Sequence, residues 1–169
     1  MNLIADGIYE FENYISDSEI EQFLEITKRN IVGGPEMQLD IDSEEFGPLF
    51  EKLRSRIYPM FRNLLKMAGL YRVQRWESNT GMSLHRDDGY DMYPDQLGIK
   101  WGMVIYLNDD YEGGKIEYPD IDLAFKPKVG SMLLHRGNIP HMVQVVTSGN
   151  RYYITGFAYG DDSLELVLP

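Results

Sequence analysis

The chain predicts an α+β domain dominated by β-structure, with two amphipathic helices packed on one sheet of an antiparallel sandwich or barrel. Three observations carry that expectation. Apolar residues recur twice at helical spacing before residue 66, and from Tyr71 onward short runs rich in Val, Ile, Tyr and Phe alternate with turn residues. The 169 residues contain no internal repeat, low-complexity tract or linker, so one domain spans 1–169, with a helical support region at 1–70 and a β-core at 71–160.

The first helix is SDSEIEQFLEITKRN. Ser16 and Glu19 stand at capping-box spacing, Ile20, Phe23, Leu24 and Ile26 share a face, and Gly33-Gly34 supplies the stop. The second starts from Asp42 or Ser43 and carries a stripe of Leu49, Phe50, Leu53, Ile57, Phe61, Leu64 and Leu65. Pro48 suits a first turn, whereas Pro59 should kink or split the helix. Seven strand-like runs follow: LYRVQRW, KWGMVIYLN, GGKIEYP, IDLAFKP, GSMLLH, HMVQVV and RYYITGFAY. NDDYEGG and KPKVGS read as hairpin turns between them.

Composition narrows the chemistry. A formal charge of −11 disfavours nucleic acid, whose affinity for proteins comes from cationic neutralisation of phosphates. With no cysteine, disulfides and thiolate metal sites are excluded, so a metal must sit on His, Asp or Glu. The N-terminus MNLIADGIYEF lacks a basic leader, and no apolar run nears the roughly 20 residues of a membrane span. A soluble cytoplasmic protein with no membrane partner is the expectation.

LHRDDGY places His85 and Asp87 one residue apart. On a strand, positions i and i+2 project to one face, so an imidazole and a carboxylate could grip one ion together. Asp88 would point to the other face. A third ligand from His135 or His141 would complete a two-histidine, one-carboxylate set with open positions, the arrangement suited to Fe(II). Arg151 lies ten residues after His141, past the turn TSGN. A hairpin there would return the guanidinium towards the metal, and arginine grips a carboxylate through two parallel hydrogen bonds.

From about Tyr71 to Tyr159 the order and spacing of these residues resemble Fe(II)/2-oxoglutarate-dependent oxygenases of the prolyl 4-hydroxylase-like branch. The distal stretch HRGNIPHMVQVVTSGNRYYITGFAY is most similar to the oxygen-sensing prolyl hydroxylases. The resemblance implies a double-stranded β-helix (jelly-roll, cupin-like) core and His85, Asp87 and His141 as Fe(II) ligands. Arg151 and Tyr106 would bind the far carboxylate of 2-oxoglutarate, Ile116 and Val143 would wall its pocket, and Thr155 would lie near the metal. Arg136, Phe157, Trp101 and Tyr90 would face substrate, with Phe157 replacing a channel-lining Trp. His135, where the family usually has Phe, would be a partly buried, hydrogen-bonded histidine and not a ligand.

The implied activity is hydroxylation of a prolyl residue in a peptide or protein, coupled to oxidative decarboxylation of 2-oxoglutarate to succinate and CO₂, with O₂ as oxidant and ascorbate as a further candidate cofactor. RWESNTGMSLHRD departs from the pattern, with Trp76 at the family's tyrosine, Asn79 at its glycine and Met82 at its aromatic. The segment 88–101 could be a mobile lid or a tethered surface loop. Two other readings stay open: an oxygenase acting on another side chain, amino acid or small molecule, and a non-catalytic cupin-like module that holds a metal or ligand.

Overall fold

A computed structural model describes residues 1–30, 36–40, 46–89 and 98–167. Its elements run β1 (Asn2–Ala5), β2 (Ile8–Phe11), α1 (Asp17–Asn30), β3 (Glu36–Asp40), α2 (Gly47–Ile57), β4 (Phe61–Arg62), β5 (Lys66–Trp76), β6 (Met82–His85) and β7 (Ile99–Tyr106). They continue as β8 (Glu112–Gly113), β9 (Ile116–Tyr118), β10 (Leu123–Phe125), β11 (Met132–Arg136), β12 (His141–Val143), β13 (Val146–Ser148), β14 (Arg151–Tyr159) and β15 (Glu165–Leu166). A seven-stranded sheet has the order β1-β2-β11-β7-β14-β5-β3, and a four-stranded sheet the order β10-β9-β12-β6. Every pairing is antiparallel.

The large sheet is covered on both faces. On one, Phe23 of α1 and Phe50 and Leu53 of α2 pack with Met103, Ile105, Met132, Leu134 and Ile154. On the other, Tyr106 and Leu133 meet Ile116 and Tyr118 of the small sheet, while Trp76 and Tyr153 meet Val143. The layers are therefore helices, large sheet and small sheet, as the patterning required. Leu53 is fully buried in the helix-side core. Leu53→Ala should lower the unfolding free energy by about 2–5 kcal/mol through the cavity it leaves. A denaturant midpoint within error of the parent would show that α2 contributes little to the core.

Local chemistry explains where the helices start and stop. The Ser16 amide donates to Glu19 Oε2 at 2.9 Å and the Glu19 amide to Ser16 Oγ at 3.3 Å, the reciprocal pair of a capping box. α2 ends at Ile57 because Pro59 cannot continue the ladder, and the chain tightens into a 3-10 turn at Tyr58–Met60. Phe61, Leu64 and Leu65 therefore do not extend the helical stripe, and Phe61 enters β4 instead. The expected stop at Gly33-Gly34 and the caps Asp42 and Ser43 lie outside the described residues.

Three expectations need correction. The region before residue 71 is not only helical: β1, β2 and β3 belong to the large sheet, and β5 begins at Lys66. NDDYEGG and KPKVGS are not hairpin turns, because β7 and β9, like β10 and β11, lie in different sheets and each segment carries the chain between them. TSGN begins within β13, which pairs with β8, and leads into β14 of the large sheet, so β12 and β14 are not hairpin partners.

Candidate metal centre and anion pocket

His85 ends β6 and pairs in register with His141, the first residue of β12, which puts two imidazoles side by side on the small sheet. Their ring centroids are 4.3 Å apart. Asp87 is not on the strand, which ends at His85, but in the turn that follows. The turn still aims its carboxylate back: Asp87 Oδ1 lies 3.6 Å from His85 Nε2 and 3.8 Å from His141 Nε2. Asp88 turns away, pairing with Arg86, and its amide donates to the Gly137 carbonyl.

The donor atoms of His85, Asp87 and His141 all lie within 4.8 Å of one another. Each histidine's Nδ1 is set against a backbone carbonyl, Ser83 O at 2.8 Å for His85 and Ile139 O at 2.9 Å for His141. Protonation of Nδ1 for that bond leaves the Nε2 lone pair free for a metal, the usual orienting device behind ligating histidines. Two imidazoles and one carboxylate fit a divalent transition metal such as Fe(II).

Charge within the cluster is finely opposed. Burial pushes the Asp87 carboxyl up, but a bond from His85 and the nearby His135 and His141 outweigh it and hold it below the usual range. For His85, burial acts downward, and Asp87 with the Ser83 carbonyl raises it. Burial keeps His141 below its ordinary value, and it drives His135 down to about 3 with help from His141. His135 is thus a neutral imidazole at pH 7.

His135 is the residue that sequence reasoning placed outside the site. It is 1% exposed, enters from β11 of the large sheet, and has Nε2 3.5 Å from Asp87 Oδ2. Gly102 of β7, its register partner, makes room for both groups. A Cβ at Gly102 would overlap Asp87 Oδ2 and stand 3.0 Å from His135 Nε2. Tyr118, fully buried, closes the cluster with its ring 5.9 Å from His135 and 6.0 Å from His141.

A second polar cluster surrounds Arg151, which is 1% exposed at the start of β14. Its guanidinium carbon is 4.0 Å from the Tyr153 ring centre, 5.0 Å from Trp76 and 5.3 Å from Tyr106. Among the described residues no carboxylate pairs with it, and its Nε and Nη1 lack hydrogen-bond partners, as do the hydroxyls of Tyr106 and Tyr111. Burial draws the guanidinium down, but the oxygens of Tyr106, Tyr153 and Tyr111 hold it above its ordinary value. Burial also pushes the Tyr106 phenol up to about 12, so it is a neutral donor. A buried cation flanked by unpaired donors is a site for an anion.

The walls follow from register. Ile116 and Val143 face each other across β9 and β12 and are both buried. Gly113 and Gly114 both have positive φ, and a Cβ on Gly114 would lie 2.9 Å from Tyr111 Cε2 and 3.3 Å from Arg151 Cδ. The Gly-Gly step thereby lets the chain pass close over the guanidinium stem. Tyr111 was not anticipated; Lys126 pins it, with Nζ 3.7 Å from its ring centre and donating to its carbonyl at 2.7 Å. Thr155 is half-buried and accepts from Gln74 Nε2 at 2.9 Å, while Tyr153 donates to Gln74 Oε1 at 2.6 Å.

Of the expected substrate residues, Phe157 sits opposite Gly102 in the β14–β7 register, beside the Asp87 turn. Trp101 and Arg136 do not join it. Strand alternation turns both towards the helix side, where Trp101 lies in the core against Tyr9 and Arg136 stacks 5.8 Å over the indole. Tyr90, with most of the segment 88–101, lies outside the described residues.

No family model matches the chain. A PKHD-type hydroxylase from Crocosphaera subtropica is 26% identical over 111 residues, covering 58% of this chain and 49% of its own. One from Rippkaea orientalis is 26% identical over 132 residues, 72% of this chain and 58% of its own. The chain therefore spans about half the length of these two relatives. Among solved structures, the viral collagen prolyl hydroxylase of Paramecium bursaria Chlorella virus-1, in complex with 2OG, matches with TM-score 0.66 at 16% identity, over 94% of this chain and 99% of that one. The Trichoplax adhaerens prolyl hydroxylase in complex with a hypoxia-inducible-factor peptide fragment matches with TM-score 0.63 at 16% identity, over 90% and 83%. The structural neighbours include prolyl hydroxylases and a 2OG-Fe(II) oxygenase, and the similarity at these identities is one of fold.

Proposed function

We propose that this chain is an Fe(II)- and 2-oxoglutarate-dependent dioxygenase built on a double-stranded β-helix core, and that it hydroxylates prolyl residues of a peptide or protein. One observation carries the reading: the His85–Asp87–His141 cluster shares its sandwich with a buried guanidinium, Arg151, that has no carboxylate partner among the described residues. A structural metal site has no use for such a cation, whereas a dicarboxylate co-substrate does. Fe(II) held there, with 2-oxoglutarate and O₂, supplies the oxidising power for C–H hydroxylation and yields succinate and CO₂.

The protein's part is placement. His85 and His141 present Nε2 because Ser83 and Ile139 hold Nδ1, and Asp87 adds the single negative charge. Arg151 binds the far carboxylate of 2-oxoglutarate, with the hydroxyls of Tyr106 and Tyr111 as further donors. Ile116 and Val143 pack its methylenes and keep water out of the floor. Thr155 and Phe157 extend from this floor along β14 towards the substrate. No side chain needs to act as general acid or base. The prolyl substrate is supported by the resemblance of the distal motif and by the neighbour in complex with a peptide fragment.

The test is incubation of the protein with Fe(II), 2-oxoglutarate, ascorbate and a pool of proline-rich peptides. Succinate and a peptide gaining one oxygen atom are expected, and Asp87→Ala should abolish both together with iron uptake. Succinate without a modified peptide would redirect the reading to another substrate. Bound iron with neither product would favour a non-catalytic metal module.

A further inference from the structure

We propose that His135 is a positioning residue for the metal-binding carboxylate, donating Nε2–H to Asp87 Oδ2 so that only Oδ1 faces the ion. This rests on the metal reading above and adds a residue to it. Asp87 follows β6 in a turn, so no strand ladder fixes its side chain. Something else must set its two oxygens, and the structure divides them. Oδ1 faces the two ligand imidazoles at 3.6 and 3.8 Å, whereas Oδ2 faces His135 at 3.5 Å from the opposite sheet.

The surroundings hold His135 to that task. Its ring lies edge-on to His141 at 4.3 Å and to Tyr118 at 5.9 Å, and the side chain is almost wholly buried. Its Nδ1 makes no side-chain hydrogen bond, and the carboxylate oxygen that its Nε2 faces is Asp87 Oδ2. The missing side chain at Gly102 is what lets the imidazole and carboxylate approach. His135 is not one of the residues whose donor atoms cluster within 4.8 Å, which separates it from the ligands. The functional consequence concerns coordination number. A carboxylate free to chelate through both oxygens would take a position that co-substrate and O₂ need, and tying up Oδ2 keeps it open.

Co(II) titration of the apoprotein tests this, because the intensity of the visible d–d bands reports coordination number and the midpoint reports affinity. His135→Phe keeps ring volume and removes the donor; His135→Gln keeps an N–H. The Phe variant should bind Co(II) about 10–100-fold more weakly with altered band intensity, while the Gln variant stays nearer the parent. Apoprotein melting curves check folding, and His135→Leu replaces the Phe variant should that one not fold. Parental affinity and spectrum in the donor-less variant would overturn the proposal, as would a Gln variant as impaired as the Phe one. If the parent protein takes up no Co(II), the metal reading itself fails. Uptake by the parent that is lost in Asp87→Ala but unaffected by His135→Phe removes only the role of His135.

Discussion

Replacing Arg151 with leucine is expected to weaken 2-oxoglutarate binding by about 100-fold or more while leaving the folded protein at least as stable as the parent. The two halves of that expectation have one cause. A guanidinium 1% exposed, with Nε and Nη1 unpaired and no carboxylate beside it among the described residues, is a burden on the fold. Cation–π contacts with Tyr153, Trp76 and Tyr106 offset part of the desolvation, but they leave Nε and Nη1 without acceptors. An apolar side chain of similar reach relieves the burden, so the melting temperature should hold or rise. The anion then loses its charge-assisted pair, worth about 2–5 kcal/mol in buried settings. Isothermal titration of the Mn(II)-loaded protein with 2-oxoglutarate, beside a melting curve, reads both. A variant that melts lower and binds as before would make Arg151 a structural residue and remove the co-substrate pocket.

Parts of the fold and of the site are legible in the sequence where they are local. The capping box at Ser16 and Glu19 needs four consecutive residues, and the structure has both of its hydrogen bonds. His85 and Asp87 are two apart, and the backbone between them brings their side chains together, even though a turn rather than a strand does it. The Asp6-Gly7 step between β1 and β2 was an equally local hairpin signal, with Gly7 at φ +73, but its flanking strands are only four residues each.

What stayed illegible is facing direction in strands buried on both sides. β7 carries helix-side residues (Trp101, Met103, Ile105) and sandwich-side residues (Gly102, Val104, Tyr106) that are almost all apolar. Alternation of polarity is therefore absent, and the parity of Trp101 could not be read from it. The same ambiguity in β11, between Met132, Leu134 and Arg136 on one side and Leu133 and His135 on the other, hid the facing of His135 and of Arg136. Once one residue of a strand is tied to the metal cluster, the rest follow by counting in twos.

Gly102 is the residue that sets that parity, and Gly102→Ala is expected to cost the protein its metal site while sparing its fold. Glycine inside a strand lowers stability by roughly 0.5–1 kcal/mol relative to alanine, so folding alone would favour the substitution. Gly102 is not among the positive-φ residues, and the backbone there accepts a side chain. What does not accept it is Asp87, whose Oδ2 already occupies the place of the added methyl, with His135 Nε2 3.0 Å from it on the other side. β7 cannot retreat, because Gly102 is paired to His135 on one flank and Phe157 on the other. The carboxylate must swing out, taking Oδ1 away from His85 and His141. Divalent-metal affinity should fall by about 100-fold, at the strong end of what disturbing a ligand's support produces. The apoprotein's melting temperature should stay level or rise. Equilibrium dialysis against Fe(II) under argon, with a melting curve of the metal-free protein, checks the pair of outcomes. Parental iron uptake in Gly102→Ala would mean that Asp87 does not reach the ion from this turn, and a ligand set built on His85 and His141 would then need a different third member.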